Sequence, residues 1–156
     1  MTLNKARIIA NDYLAKYGLL EQGWTFELNN KKKRFGLTKF STKTISLSKE
    51  LTELNSPYEV VDTILHEIAH ALVGKSNGHN NVWKSKAQEI GCNGSRVYSS
   101  KLVKQPAYKF VGTCPNCGKI SKTYKRGKYA CGACCRTYNG GKFKKEYLIV
   151  WERASP

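Results

Sequence analysis

Acidic residues are scarce in this chain, with 11 Asp and Glu against 27 Lys and Arg in 156 residues, a formal charge of +16. The deficit is uneven. Residues 101–156 hold 13 basic groups and only Glu146 and Glu152, whereas residues 1–100 hold 14 basic and 9 acidic ones. Such a C-terminal density attracts polyanions, because each neutralised phosphate releases condensed counterions, so nucleic acid leads the expected partners. Proline is also sparse, at 4 residues, while 40% of the chain is hydrophobic. That excludes a proline-rich or charge-expanded disordered chain and leaves an ordinary globular one. Nor does any stretch approach ~18 apolar residues, so a membrane-spanning helix is not expected. Asn4, Lys5, Arg7, Asn11 and Asp12 interrupt any apolar segment a secretory signal would need. These absences point to a cytoplasmic protein without a membrane partner, in which six cysteines serve as metal ligands or free thiols and not as disulfides.

The patterning that is present divides the chain in two. Leu3, Ala6, Ile9, Ala10, Tyr13, Leu14 and Tyr17 recur at helical spacing and predict an amphipathic helix ending at Gly18. Trp24, Phe26 and Leu28 alternate with polar residues as in a half-buried strand, and the polar residues 29–33 predict a hairpin turn. Residues 34–38 and 43–47 read as further strands, with Ile45 and Leu47 on one face. Ser56, Pro57 and Glu59 then supply an N-cap, a first helical position and a capping box, for a mostly buried helix that stops at Gly74. A second helix is expected from about residue 81 to 90, with Trp83, Ala87 and Ile90 inward and Gly91 as its terminator. From Gln105 onward the texture turns to Gly, Lys, Tyr and Cys, which predicts a separate small β-rich module. The expected organisation is α+β, with one domain over residues 1–105 and a basic module over 106–156.

The first of these helices carries His66-Glu67-Ile68-Ala69-His70. Histidines four apart project from one helix face, as two-point coordination of a tetrahedral metal requires. In this pattern the carboxylate, Glu67, is no ligand but the general base that takes a proton from a water the metal activates. Three polar groups on an otherwise apolar face would each cost ~1–3 kcal/mol without partners, an objection that a metal removes. The chain's one remaining histidine, His79, lies between the Gly74 stop and the next helix, where the chain can turn back to provide a third ligand. Glu89 is the alternative third ligand, since zinc is also held by two histidines and a downstream glutamate.

Farther on, Cys114-Pro-Asn-Cys117 and Cys131-Gly-Ala-Cys134 form two knuckles whose spacing signals a structural zinc site. Cys135 is an alternative to Cys134 as the fourth ligand, and Cys92 reads as a lone, partly buried thiol. Two zinc ions per chain are therefore expected, one catalytic and one structural. Around the knuckles Lys119, Lys122, Tyr124, Lys125, Arg126, Lys128 and Arg136 interleave cations with an aromatic, which suits sequence-nonspecific binding of a nucleic-acid strand.

Taken together, the run from Gly36 to His79 resembles the SprT-like zinc metallopeptidase domain. The features that carry the likeness are a TISLS strand at 44–48, the HEIAHAL helix, and GHNNVW with a third histidine before an aromatic-bearing helix, followed by a zinc ribbon. Asn80 stands where that family commonly has glycine. The resemblance implies a zincin-like domain of helices with a small antiparallel sheet, ligands His66, His70 and His79, and Glu67 as the catalytic residue. It also implies protein substrates, DNA as the bound nucleic acid, and in some relatives digestion of DNA-crosslinked proteins, hence a DNA-associated cytoplasmic location. We expect the chain to act as a monomer. The rival expectation is a nucleic-acid-binding protein whose HEIAH metal is structural or vestigial and turns nothing over.

Overall fold

The computed structural model describes residues 1–96 and 103–155. It forms two compact units, Met1–Pro106 and Ala107–Pro156.

The first unit begins with α1 (Leu3–Lys16), whose start is set by Thr2 accepting a hydrogen bond from the Lys5 amide. Ala6, Ala10 and Leu14 lie four apart and are buried, so one narrow apolar stripe meets the core. Gly18, at φ 65°, ends the helix in a backbone conformation that disfavours side chains. Three strands follow, β1 (Thr25–Asn29), β2 (Gly36–Lys39) and β3 (Thr44–Ser48), in the spatial order β1-β3-β2.

This order corrects the hairpin expected between the first two strands, because β3 inserts between them. It pairs parallel to β1 and antiparallel to β2. The sheet is therefore mixed, not wholly antiparallel. Burial explains the arrangement: all five residues of β3 are buried while β1 and β2 are partly exposed, so TISLS takes the centre. A strand covered on both faces does not betray its position by alternation. Its polar members are satisfied internally, Ser46 Oγ donating to the Leu37 carbonyl and Ser48 Oγ accepting from the Leu51 amide. That last contact caps α2 (Lys49–Leu54), a short helix the sequence pattern does not announce.

α3 (Pro57–Val73) starts as expected: the Ser56 hydroxyl accepts from the Glu59 amide and Pro57 opens the helix. The Glu59 carboxylate makes no return bond among the described residues, so only half of the capping box forms. Val60, Ile64 and Ile68 are fully buried, with Leu65 beside them, whereas Val61 and Leu72 are only partly covered. α3 packs against α1, against β2 and against α4 (Asn81–Glu89). Between α3 and α4 a single 3-10 turn at Lys75–Asn77 is bracketed by Gly74 and Gly78, both at positive φ, and together they reverse the chain. Trp83 and Ala87 are buried along α4, followed by Ile90 and Cys92.

The second unit holds β4 (Phe110–Thr113), β5 (Ile120–Thr123) and β6 (Val150–Arg153), an antiparallel sheet in the order β5-β4-β6. It also contains an α-helix that the β-rich reading did not anticipate, α5 (Gly132–Asn139), which starts at the second cysteine knuckle. The core of this unit consists of Cys114, Cys131, Cys134, Cys135 and Tyr147. A core this small calls for a staple such as a metal. No helix among the described residues is long and apolar enough to cross a membrane.

Candidate metal centres

α3 presents His66 and His70 on one face, and the glycine-bracketed turn returns His79 to them. His66 Nε2 lies 3.0 Å from His79 Nε2, and His70 Nε2 lies 3.1 Å from the same atom. All three fall within 4.8 Å of one another, in a group able to hold a metal ion. Bonds of about 2.0–2.1 Å to a tetrahedral zinc would set ligand nitrogens about 3.3 Å apart, close to this spacing. Burial, reinforced by the charges of His70 and His79, lowers His66 to about 3, and burial with the charge of His79 lowers His70 to about 4. Burial and Arg96 also lower His79. The rings are thus neutral, as metal ligands must be. Three lone-pair-bearing nitrogens converging on one point repel unless a cation lies among them, so the donor set fits zinc.

Trp83 lies against the triad, its ring centroid 4.6 Å from those of His66 and His79 and 5.2 Å from that of His70. Asn80 enables this packing: its side chain accepts from the Trp83 amide and starts α4 one residue after His79. A side-chain cap thus occupies the position where glycine is common. Behind His66, the Ser95 backbone accepts a hydrogen bond from the imidazole. The segment containing Ser95 is anchored by Asp62, one turn before His66, which accepts from both the backbone and side-chain amides of Asn93 at 2.7 Å. Such outer contacts orient ligand rings.

Glu67 is 8% exposed, and burial pushes its carboxyl up to about 7 against the opposing influence of the Thr38 hydroxyl and Arg34. Thr38 Oγ1 stands 2.6 Å from Glu67 Oε2 and 2.9 Å from the Glu67 carbonyl, pinning one carboxylate oxygen. The other, Oε1, lies over Gly36. A methyl group added there would come within 2.5 Å of Oε1, 2.8 Å of Glu67 Cγ and 2.9 Å of Thr63 Cγ2, so the strand approaches this close only because position 36 has no side chain. Sequence reading missed Thr38, Gly36, Asp62 and Asn93 in these roles, since only the packing of β2 and the 93–96 segment on α3 brings them there. Glu89, the alternative ligand, is exposed and paired with Lys86 at 2.6 Å, outside the histidine group.

A cleft of about 620 Å³ opens over the triad, lined among others by Arg34, Leu37, Phe40, Lys75, Ser95 and Arg96.

In the C-terminal unit the sulfurs of Cys114, Cys117, Cys131 and Cys134 also lie within 4.8 Å of one another. Cys114 and Cys134 are 3.7 Å apart, and Cys117 and Cys131 3.8 Å, near the ~3.8 Å edge of a tetrahedron built on ~2.3 Å zinc–sulfur bonds. Gly118, at φ 67°, turns the first knuckle so that its amide reaches the Cys114 carbonyl. Cys131 caps α5, where the amides of Cys134 and Ala133 bring its thiol down to about 6. Cys135 is buried but lies outside the group, because adjacent helical residues point about 100° apart. Of the basic residues flagged in the sequence, Lys119, Lys122, Lys125, Arg126, Lys128 and Arg136 are exposed. Tyr124 is half-buried and stacks on Tyr108 at 4.7 Å, and the Arg126 guanidinium lies 5.1 Å from the Phe110 ring centre.

A mixed α+β unit with a helix-borne histidine pair, a third histidine returned by the chain and a buried glutamate beside them defines a metalloprotease-type domain. The SprT-like family model matches residues 7–103, and the chain belongs to that family. No curated protein matches it.

Proposed function

We propose that this protein is a zinc-dependent peptidase brought to DNA by a basic zinc ribbon, where it cleaves DNA-bound or DNA-crosslinked proteins. On this reading residues 1–105 are the catalytic domain and 106–156 the targeting module, working in the cytoplasm. The convergence of three imidazoles beside a buried, one-sidedly tethered glutamate carries the proposal. Zinc held by His66, His70 and His79 would polarise the scissile carbonyl and acidify the attacking water. The protein's own part falls to Glu67. With Oε2 tethered by Thr38, Oε1 is the carboxylate oxygen that would accept a proton from the attacking water and return one to the departing amine. Burial raises this carboxyl, which favours its holding a proton between the two transfers. Leu37 and Phe40, both partly exposed, give the substrate an apolar wall. β2 lies at the edge of its sheet, so its outer side offers an extended chain a strand to pair with.

Cys114, Cys117, Cys131 and Cys134 would hold the second zinc in a closed set, which contributes folding energy and no catalysis. The exposed cations around it supply charge for a phosphate backbone, with the Tyr108–Tyr124 stack beside them. The test compares zinc-loaded protein with its Glu67→Gln variant on a protein substrate with and without single-stranded DNA. DNA-stimulated cleavage lost in the variant is the expected result. Cleavage that persists in Glu67→Gln would remove the catalytic role. No cleavage by either protein, with DNA binding intact, would favour the binding-only alternative.

A further inference from the structure

The charges lining the cleft are unbalanced. Its walls hold Arg34, Lys75 and Arg96 as cations and Asp62 and Glu67 as acids. Both acids are already engaged: Asp62 binds Asn93 through both carboxylate oxygens, and Glu67 is tied to Thr38. Arg34, Lys75 and Arg96 are exposed and form no ion pair among the described residues. The two arginines border the same cleft next to different members of the site, Arg34 acting on the Glu67 carboxyl and Arg96 on His79. Arg34 precedes Gly36, which supports the Glu67 carboxylate, and Arg96 follows Ser95, whose backbone binds His66. A chain laid in the cleft over the triad meets two exposed guanidinium groups that form no ion pair among the described residues. Guanidinium is a planar fork of donors matched to carboxylate, and a concave site of one sign raises the local concentration of the opposite charge.

We propose that Arg34 and Arg96 determine specificity in this cleft by recognising Asp or Glu side chains of the substrate polypeptide. The proposal rests on the peptidase reading. A peptide fits better than a nucleic acid here, because Leu37 and Phe40 line the same cleft and set apolar surface beside the cations.

The experiment uses full-length, zinc-loaded Glu67→Gln protein and two fluorescent peptides differing only in Asp and Glu versus Asn and Gln around one central bond. Fluorescence anisotropy should show the acidic peptide binding about tenfold more tightly, since each exposed ion pair contributes roughly two- to fivefold. Adding Arg34→Gln and Arg96→Gln should bring the two peptides within about twofold, with zinc content unchanged. Should that variant misfold, Arg34→Lys with Arg96→Lys carries the test, with a weakened but surviving preference expected. Substituting Lys125→Gln and Arg126→Gln should leave the preference intact. Equal binding of both peptides would overturn the proposal, as would a preference lost with the ribbon substitutions. Rim substitutions that weaken single-stranded DNA retention and leave peptide preference unchanged would also overturn it, by showing the rim to be a nucleic-acid surface. In unsubstituted protein, failure to cleave either peptide would count against the peptidase reading alone, because the binding comparison still decides the rim. Where cleavage occurs, removal of the arginines should raise KM for the acidic peptide and leave kcat nearly unchanged.

Discussion

The two metal-competent groups differ in how much of each the protein encloses. Three of the four cysteines in the C-terminal group are buried, and they constitute much of their unit's core. The histidine group is half-buried at His66 and His70, exposed at His79, and opens to a cleft lined by apolar and cationic residues. Enclosure by four sulfurs leaves no coordination position for a substrate, whereas three nitrogens under an open cleft leave one. The comparison teaches that one chain sets apart two metal-competent groups by burial: the closed group supplies much of its unit's core, and the open group rests on a core built independently from α1, α3 and the first sheet.

The largest effect should come from breaking the closed site. Cys114→Ser, or chelation, should unfold residues 107–155, because structural zinc contributes about 10–16 kcal/mol to comparable small units. Amide NMR spectra should then lose dispersion for the C-terminal unit while residues 1–96 keep theirs. If both units survive, the contrast between the groups is wrong. Next in size, Glu67→Gln should lower peptidase turnover by about 10²–10⁴-fold, the usual worth of a general base, with zinc content unchanged by metal analysis. Gly36→Ala should cost about 1–3 kcal/mol through overpacking against Glu67 and Thr63, read as a lower denaturation midpoint with reduced turnover. The smallest effect sharpens the closed site: Cys135→Ser should leave two zinc ions per chain, whereas Cys134→Ser should leave one. Loss of zinc on Cys135→Ser would reverse the assignment of the fourth ligand.

Much of this was legible in the sequence because it depended on local spacing. The i, i+4 relation of His66 and His70, the Ser56-Pro57 helix start, the glycines around the reversing turn and the paired knuckles each act within a few residues, and each recurs in the structure. The hairpin expectation failed for the opposite reason. Which strand lies between two others depends on which one can be buried, and that burial comes partly from α3, distant in sequence, which packs on β3 together with α2. Residues 44–48 contain three hydroxyl side chains, which reads as a half-exposed strand until their internal hydrogen bonds are seen. The α5 helix escaped notice because the cysteine spacing was read as a turn and not as a helix start.

By itself, then, the sequence determined the chemistry available: three imidazoles, one carboxylate within their motif, four knuckle cysteines and a cationic C-terminus. Tertiary structure alone decided how that chemistry is held. Thr38 and Gly36 reach Glu67 across 29 and 31 positions of sequence, Asp62 anchors the segment behind His66, and Arg34 and Arg96 line one cleft. Those relations have no periodicity to read, because they arise where a strand edge and a returning loop pack on the same helix.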